Sequence, residues 1–134
     1  MSAELSVLVA AAGLSLALAL ATIGIHLHRF GGAMVRSNRE DYPALQGLAG
    51  RVVRAQANLN EAMLPFAVVV LAAALAQVSN GLTAAAAETF LAARLAHAGL
   101  YLAGVPVLRS VAYYVGLAAT LVFAAQLPLP AIVW

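Results

Sequence analysis

The stretch RVVRAQANLNEAMLPFAVVVLAAALAQV, residues 51–78, changes character along its length. Its first half carries Arg51, Arg54, Asn58 and Glu61 at positions i, i+3, i+7 and i+10. At 100° per residue these four fall within an arc of about 80° on one helix face. The second half is apolar on every face and long enough to continue into a bilayer. A helix of this kind cannot turn its charged stripe toward lipid, where one charge at mid-membrane costs about 2.5–3.5 kcal/mol on the most lenient scale. The stripe must therefore face protein or a water-filled hollow.

Working outward, the rest of the chain agrees with that solvent. Of 134 residues, 64% are apolar and 9% charged, against roughly 25% charged in a soluble domain. So short a chain has too much surface to hide this much apolar material from water. Residues 5–25 form an uninterrupted apolar or small-residue run. The start Met1-Ser2-Ala3-Glu4 lacks the basic n-region of a signal peptide, so this run reads as a retained transmembrane helix. The expected architecture is all-α, an integral membrane four-helix bundle in one domain spanning 1–134, with helices at approximately 4–29, 51–78, 83–103 and 107–127. Gly31-Gly32, Pro43, Gly47 and Gly50 mark the polar stretch 26–50 as a loop, and Asn80-Gly81 reads as a tight turn. Gly104-Val105-Pro106 breaks the third helix, and Pro128 and Pro130 stop the fourth. Pro65 lacks the N–H that would bond the Glu61 carbonyl, so the second helix should bend just beyond its polar half.

The first loop and its flanks carry Arg29, Arg36, Arg39, Arg51 and Arg54, and Arg109 follows the third connection. The Asn80-Gly81 turn carries no basic residue. The positive-inside rule then places the first and third connections in the cytoplasm and both termini on the other side.

Arg94, His97 and Tyr101 share an arc of about 60° on helix three, and Arg109 and Tyr113 are i, i+4 neighbours on helix four. Ser110 sits next to Arg109. The stripe holds four arginines (Arg51, Arg54, Arg94 and Arg109) against Glu61 alone. An internal salt-bridge network would balance; this set does not, which points to an anionic ligand. The competing reading is that the stripe serves only to glue helices together. That is the simpler account of Asn58, Ser110 or His97 taken singly, but it leaves the surplus charge unexplained.

Other chemistries find little support. Without cysteine there are no disulfides or thiolate metal sites, and sulfur chemistry would need a bound co-substrate. His26 and His28 point about 200° apart and do not form a metal pair. No phosphate loop or serine-hydrolase motif is present. Basic residues at membrane depth or in one loop argue against nucleic acid as a partner.

The motif Arg51-Val52-Val53-Arg54-Ala55-Gln56-Ala57-Asn58-Leu59-Asn60-Glu61, with Pro65-Phe66 beyond it, resembles the second-helix signature of the MAPEG family, the membrane-associated proteins in eicosanoid and glutathione metabolism. Residues 90–114 are similar to that family too, with Arg94, His97, Tyr101, Arg109-Ser110 and Tyr113 in the order seen in its glutathione-using synthases. The resemblance implies a homotrimer of four-helix protomers, with glutathione as co-substrate bound between subunits and no metal. By the same resemblance, Arg54, Asn58 and Glu61 would hold the peptide part of glutathione. Arg94, His97, Tyr101 and Tyr113 would line the cavity, and Arg109 would stabilise the thiolate with Ser110 beside it. Arg51 matches a basic position at the helix start that organises the loop. Ala62 and Leu64 stand where the eicosanoid synthases carry a tyrosine after the glutamate, and Ala57 replaces an arginine of the prostaglandin branch. The pattern fits the bacterial branch and an inner-membrane location. The implied activity is a glutathione transferase or peroxidase acting on lipophilic electrophiles or lipid hydroperoxides. The alternatives are a small four-helix transporter using Glu61, or a non-catalytic membrane protein that binds glutathione or lipid. Against the transporter, Glu61 lies among arginines, poor surroundings for a carboxylate that must exchange a proton.

Overall fold

In the computed structural model the described residues are 1–38, 40 and 43–128. Arg39 and Asp41, both in the polar loop, and Pro130, expected to stop the last helix, lie outside them. Among the described residues there are four helices and no strand: α1 (Ala3–Val35), α2 (Gly47–Leu75), α3 (Gly81–Ala103) and α4 (Pro106–Ala124). Of these, α1, α2 and α4 are long and apolar enough to cross a membrane. In α3, Glu88, Arg94 and His97 interrupt an alanine-rich helix whose apolar character is correspondingly weaker.

Helix ends follow local chemistry. Ser2 caps α1 by accepting the Leu5 N–H at 3.4 Å. The helix runs on past residue 29 to Val35, across a kink at Gly31 (φ 73°, ψ 166°), a conformation open in practice only to glycine. The polar stretch is thus helical as far as Val35, and α2 begins at Gly47 rather than Arg51. At its other end, the Val78 N–H bonds back to the Ala73 carbonyl at 2.9 Å while Gln77 takes a left-handed φ of 55°, so α2 closes at Leu75. Asn80-Gly81 is a helix start, not a free turn. Asn80 accepts from Leu82 and Thr83, and the Thr83 hydroxyl accepts the Asn80 N–H, a reciprocal capping box. Gly104 (φ 77°) ends α3, and Pro106 occupies the first turn of α4. Helix α2 passes unbroken through Pro65.

The bundle closes around an aromatic waist. Phe66 of α2 stacks on Phe90 of α3 with centroids 3.7 Å apart and an 8° interplanar angle, and Phe123 of α4 meets Phe66 edge-on at 6.3 Å. All three rings are buried, packed with Val7, Ala11, Val70 and several alanines. In lipid no hydrophobic force draws helices together, so close packing through small residues stabilises this contact. α4 lies against α3 and, less extensively, α2; α1 covers the other side of α2 and α3. Ser15 of α1 donates to Asn60 Oδ1 of α2 at 2.6 Å. Outward-facing Leu16, Leu64 and Leu121 are more than 60% exposed, the surface expected where lipid is the solvent.

Candidate functional site

Toward the α3–α4 connection, side chains of three helices form an open cavity of ≈ 220 Å³, lined by Asn58 of α2, His97 and Tyr101 of α3, and Arg109, Ser110, Tyr113 and Tyr114 of α4. The spacing on each helix produces this convergence. His97 and Tyr101 are i, i+4 on α3, and Arg109 and Tyr113 are i, i+4 on α4. The sharp Gly104–Pro106 corner brings those faces together. Arg109 Cζ lies 4.3 Å from the centroid of the Tyr101 ring, a cation–π contact. His97 meets Tyr101 at 5.4 Å and Tyr113 at 6.2 Å. The Ser110 hydroxyl donates to the Pro106 carbonyl at 3.0 Å within α4, which leaves its lone pairs to accept. Asn58 Oδ1 is buried and has no hydrogen-bond partner among the described residues. Among the described residues no carboxylate lines this cavity, so the Arg109 guanidinium has no counter-ion among them in the wall.

Arg94 stands apart. It is 2% exposed and donates from Nη2 to the Tyr113 carbonyl at 2.8 Å. Its Cζ sits 5.4 Å from the Phe90 ring and 5.2 Å from Tyr113. Nε and Nη1 have no partner among the described residues. Together with Glu61, Pro65, Tyr113, Gly116 and Thr120 it lines a second, more apolar cavity of ≈ 170 Å³. Tyr113 lines both cavities. A Cβ on Gly116 would overlap the Arg94 guanidinium, so this glycine makes the room in which the arginine lies.

The remaining stripe residues go elsewhere. Arg51 donates from Nε to the Leu102 carbonyl at 2.9 Å and lies against Gly104. It satisfies the open carboxyl end of α3 and lines neither cavity, so its role within this chain is to tie α2 to α3. Arg54 and Glu61 are exposed on the single chain. Arg54 borders a separate hollow with His26, Pro43 and Leu45. Within one chain the stripe is therefore divided: Asn58, His97, Tyr101, Arg109, Ser110 and Tyr113 share one cavity, Arg94 and Glu61 another, and Arg51 and Arg54 neither. Helical spacing alone does not point to Tyr114 or Gly116. Tyr114 lies 100° from Tyr113, off the shared face, and a glycine leaves no side chain to pattern.

Among the described residues there is no group of three or more His, Asp or Glu able to hold a metal. No curated protein and no solved structure matches the chain. The model of the MAPEG family matches residues 5–128, nearly the full length, and the chain belongs to that family.

Proposed function

We propose that the protein is a glutathione-dependent membrane transferase or peroxidase acting on lipophilic electrophiles or lipid hydroperoxides. The family it belongs to includes glutathione transferases and peroxidases. The observation that carries the reading is Arg109 over Tyr101, beside Ser110, in a cavity with no carboxylate among the described residues of its wall. Glutathione is anionic, and its thiolate more so. Moving a thiol of pKa about 8.5 down by two units takes about 2.7 kcal/mol of differential stabilisation. A guanidinium in a partly dry site is of the right size for that. In this reading Arg109 stabilises the thiolate with Ser110 beside it, and Asn58, His97, Tyr101 and Tyr113 line the rest of the cavity. Arg94 meets the ligand from the second cavity, and Arg51 organises the helix ends.

Glutathione supplies the nucleophile. Its sulfur forms a bond to the electrophilic carbon while the leaving group takes the electron pair and then a proton. With a hydroperoxide, sulfur takes the distal oxygen, the alkoxide is protonated, and a second glutathione converts the sulfenic acid to disulfide and water.

Two features support a homotrimer with glutathione between subunits. The cavity of ≈ 220 Å³ is smaller than the ~300 Å³ at which pockets for whole small molecules begin. Arg54 and Glu61, exposed on α2, are groups for which contact with hydrocarbon is costly. A neighbouring subunit covers them and completes the site, where they hold the peptide part of glutathione. Arginine placement supports an orientation with both termini on the non-cytoplasmic side, and the membrane we propose is a bacterial inner membrane.

Calorimetric titration of the detergent-solubilised protein with glutathione should show binding, and the complex should develop thiolate absorbance. Arg109→Ala should abolish the absorbance and leave the fold intact. A wild type that neither binds nor ionises glutathione refutes the enzyme reading.

A further inference from the structure

At the end of the bundle opposite Arg109, a carboxylate is buried with no basic partner among the described residues. Glu4, in the first turn of α1, is 3% exposed. Its Oε1 accepts from the Ser79 hydroxyl at 3.0 Å and from the Thr83 hydroxyl at 2.5 Å. Its Oε2 is buried and has no hydrogen-bond partner among the described residues. Glu4 lines a cavity of ≈ 190 Å³ whose polar lining is Ser2, Glu4, Gln77 and Ser79 and whose apolar lining includes Leu5 and Val70. Gln77 takes part from a left-handed backbone, φ 55°, where glycine would be the easier residue. Among the described residues no arginine lines this cavity. Met1 is 88% exposed and is not part of the wall.

A buried carboxylate with a bare oxygen is expensive unless a positive charge reaches it. The surroundings define that charge. A single acid calls for a monocation. The cavity is far roomier than a bare metal ion needs, and most of its wall is apolar. Ser2, Gln77 and Ser79 add neutral oxygen acceptors to Oε2, which suits a cation with several N–H donors. We propose that this cavity binds a primary ammonium carried on a short carbon chain, the chemistry of an aminophospholipid headgroup or of a free alkylamine. The position at the ends of α1 and α2, where the spans leave the apolar layer, is where a headgroup would lie. This proposal is independent of the glutathione site.

The test is the unfolding temperature of the full chain in nanodiscs. Replacing half of the phosphatidylcholine with phosphatidylethanolamine of the same acyl chains should raise it by about 3 °C or more. Glu4→Gln should lose that gain, since the neutral amide keeps the shape and an acceptor but not the charge. Ethylamine titrated into phosphatidylcholine discs identifies the source: a rise shows that any primary ammonium suffices, and a gain with the lipid alone assigns the site to the headgroup. Tetramethylammonium, with no N–H, should do nothing. If Glu4→Gln fails to fold, Gln77→Gly relieves the backbone, removes one acceptor, and should shrink the gain. The proposal is overturned if neither amine raises the temperature. It is overturned equally if tetramethylammonium matches ethylamine, or if the lipid gain persists in full in Glu4→Gln or in Gln77→Gly.

Discussion

Where α3 begins, Asn80 and Thr83 cap one another, and Thr83 also binds Glu4 of α1. Where α3 ends, Arg51 reaches across from α2 to take the Leu102 carbonyl, while Arg109 lies on Tyr101 at the wall of a cavity. Between the two is the waist of Phe66, Phe90 and Phe123, with no polar atom on its rings. The waist is closed and complete in one chain. The arginine end has donors and acceptors left over: Arg94 Nε and Nη1 and Asn58 Oδ1 have no partner among the described residues. In a medium without water to satisfy them, such atoms mark where a ligand or a second subunit is expected. A membrane protein thus separates what holds it together from what it is for by how fully each region satisfies itself.

That contrast can be broken experimentally. The largest effect should come from Phe66→Ala, which opens a cavity at the waist. By analogy with buried aromatic truncations it should cost about 3–5 kcal/mol, seen as a sharply lower unfolding temperature in detergent. A near-neutral result would show that the waist does not carry the fold.

Arg109→Ala should do the reverse. Removing one charge-stabilising donor lowers turnover by about 10²–10³-fold in comparable sites, so glutathione conjugation should fall by that order with little change in unfolding temperature. Equal loss of stability and activity would make Arg109 structural.

Gly116→Ala sharpens the comparison, because it acts through Arg94 alone. The added methyl displaces the guanidinium from its cradle, at about 1–3 kcal/mol of overpacking, and should weaken glutathione affinity as well as stability. Wild-type affinity would show that Arg94 has no part in binding.

The smallest effect is expected at the opposite end. Asn80→Ala removes the cap of α3 at about 1 kcal/mol, and glutathione turnover should be unchanged. A change in turnover would show that the two ends are coupled.

Much of the fold is legible in the sequence. Apolar runs and Gly/Pro punctuation located all four helices, since in lipid every span must be a long apolar helix. Boundaries were less legible where glycine acts in ways a breaker rule does not capture. Gly31 kinks α1 without ending it, and Gly81 opens α3 instead of turning the chain. Within the candidate site, 100° periodicity placed His97 with Tyr101 and Arg109 with Tyr113, because neighbours one turn apart on a rigid helix stay neighbours. It also grouped Arg51 with Arg54, although Arg51 is drawn to the carboxyl end of α3, a partner 51 residues away in sequence.

By itself, then, the sequence determined the solvent, the number of helices and the face of each helix that carries polarity, because these depend on composition and on fixed helical geometry. Only the tertiary structure decided which of those faces meet. Helix crossing and the room left by residues such as Gly116 divide one stripe into two cavities and a cap, and bury Glu4 against Ser79 and Thr83. Such outcomes depend on packing between segments far apart in the chain, and no local pattern encodes them.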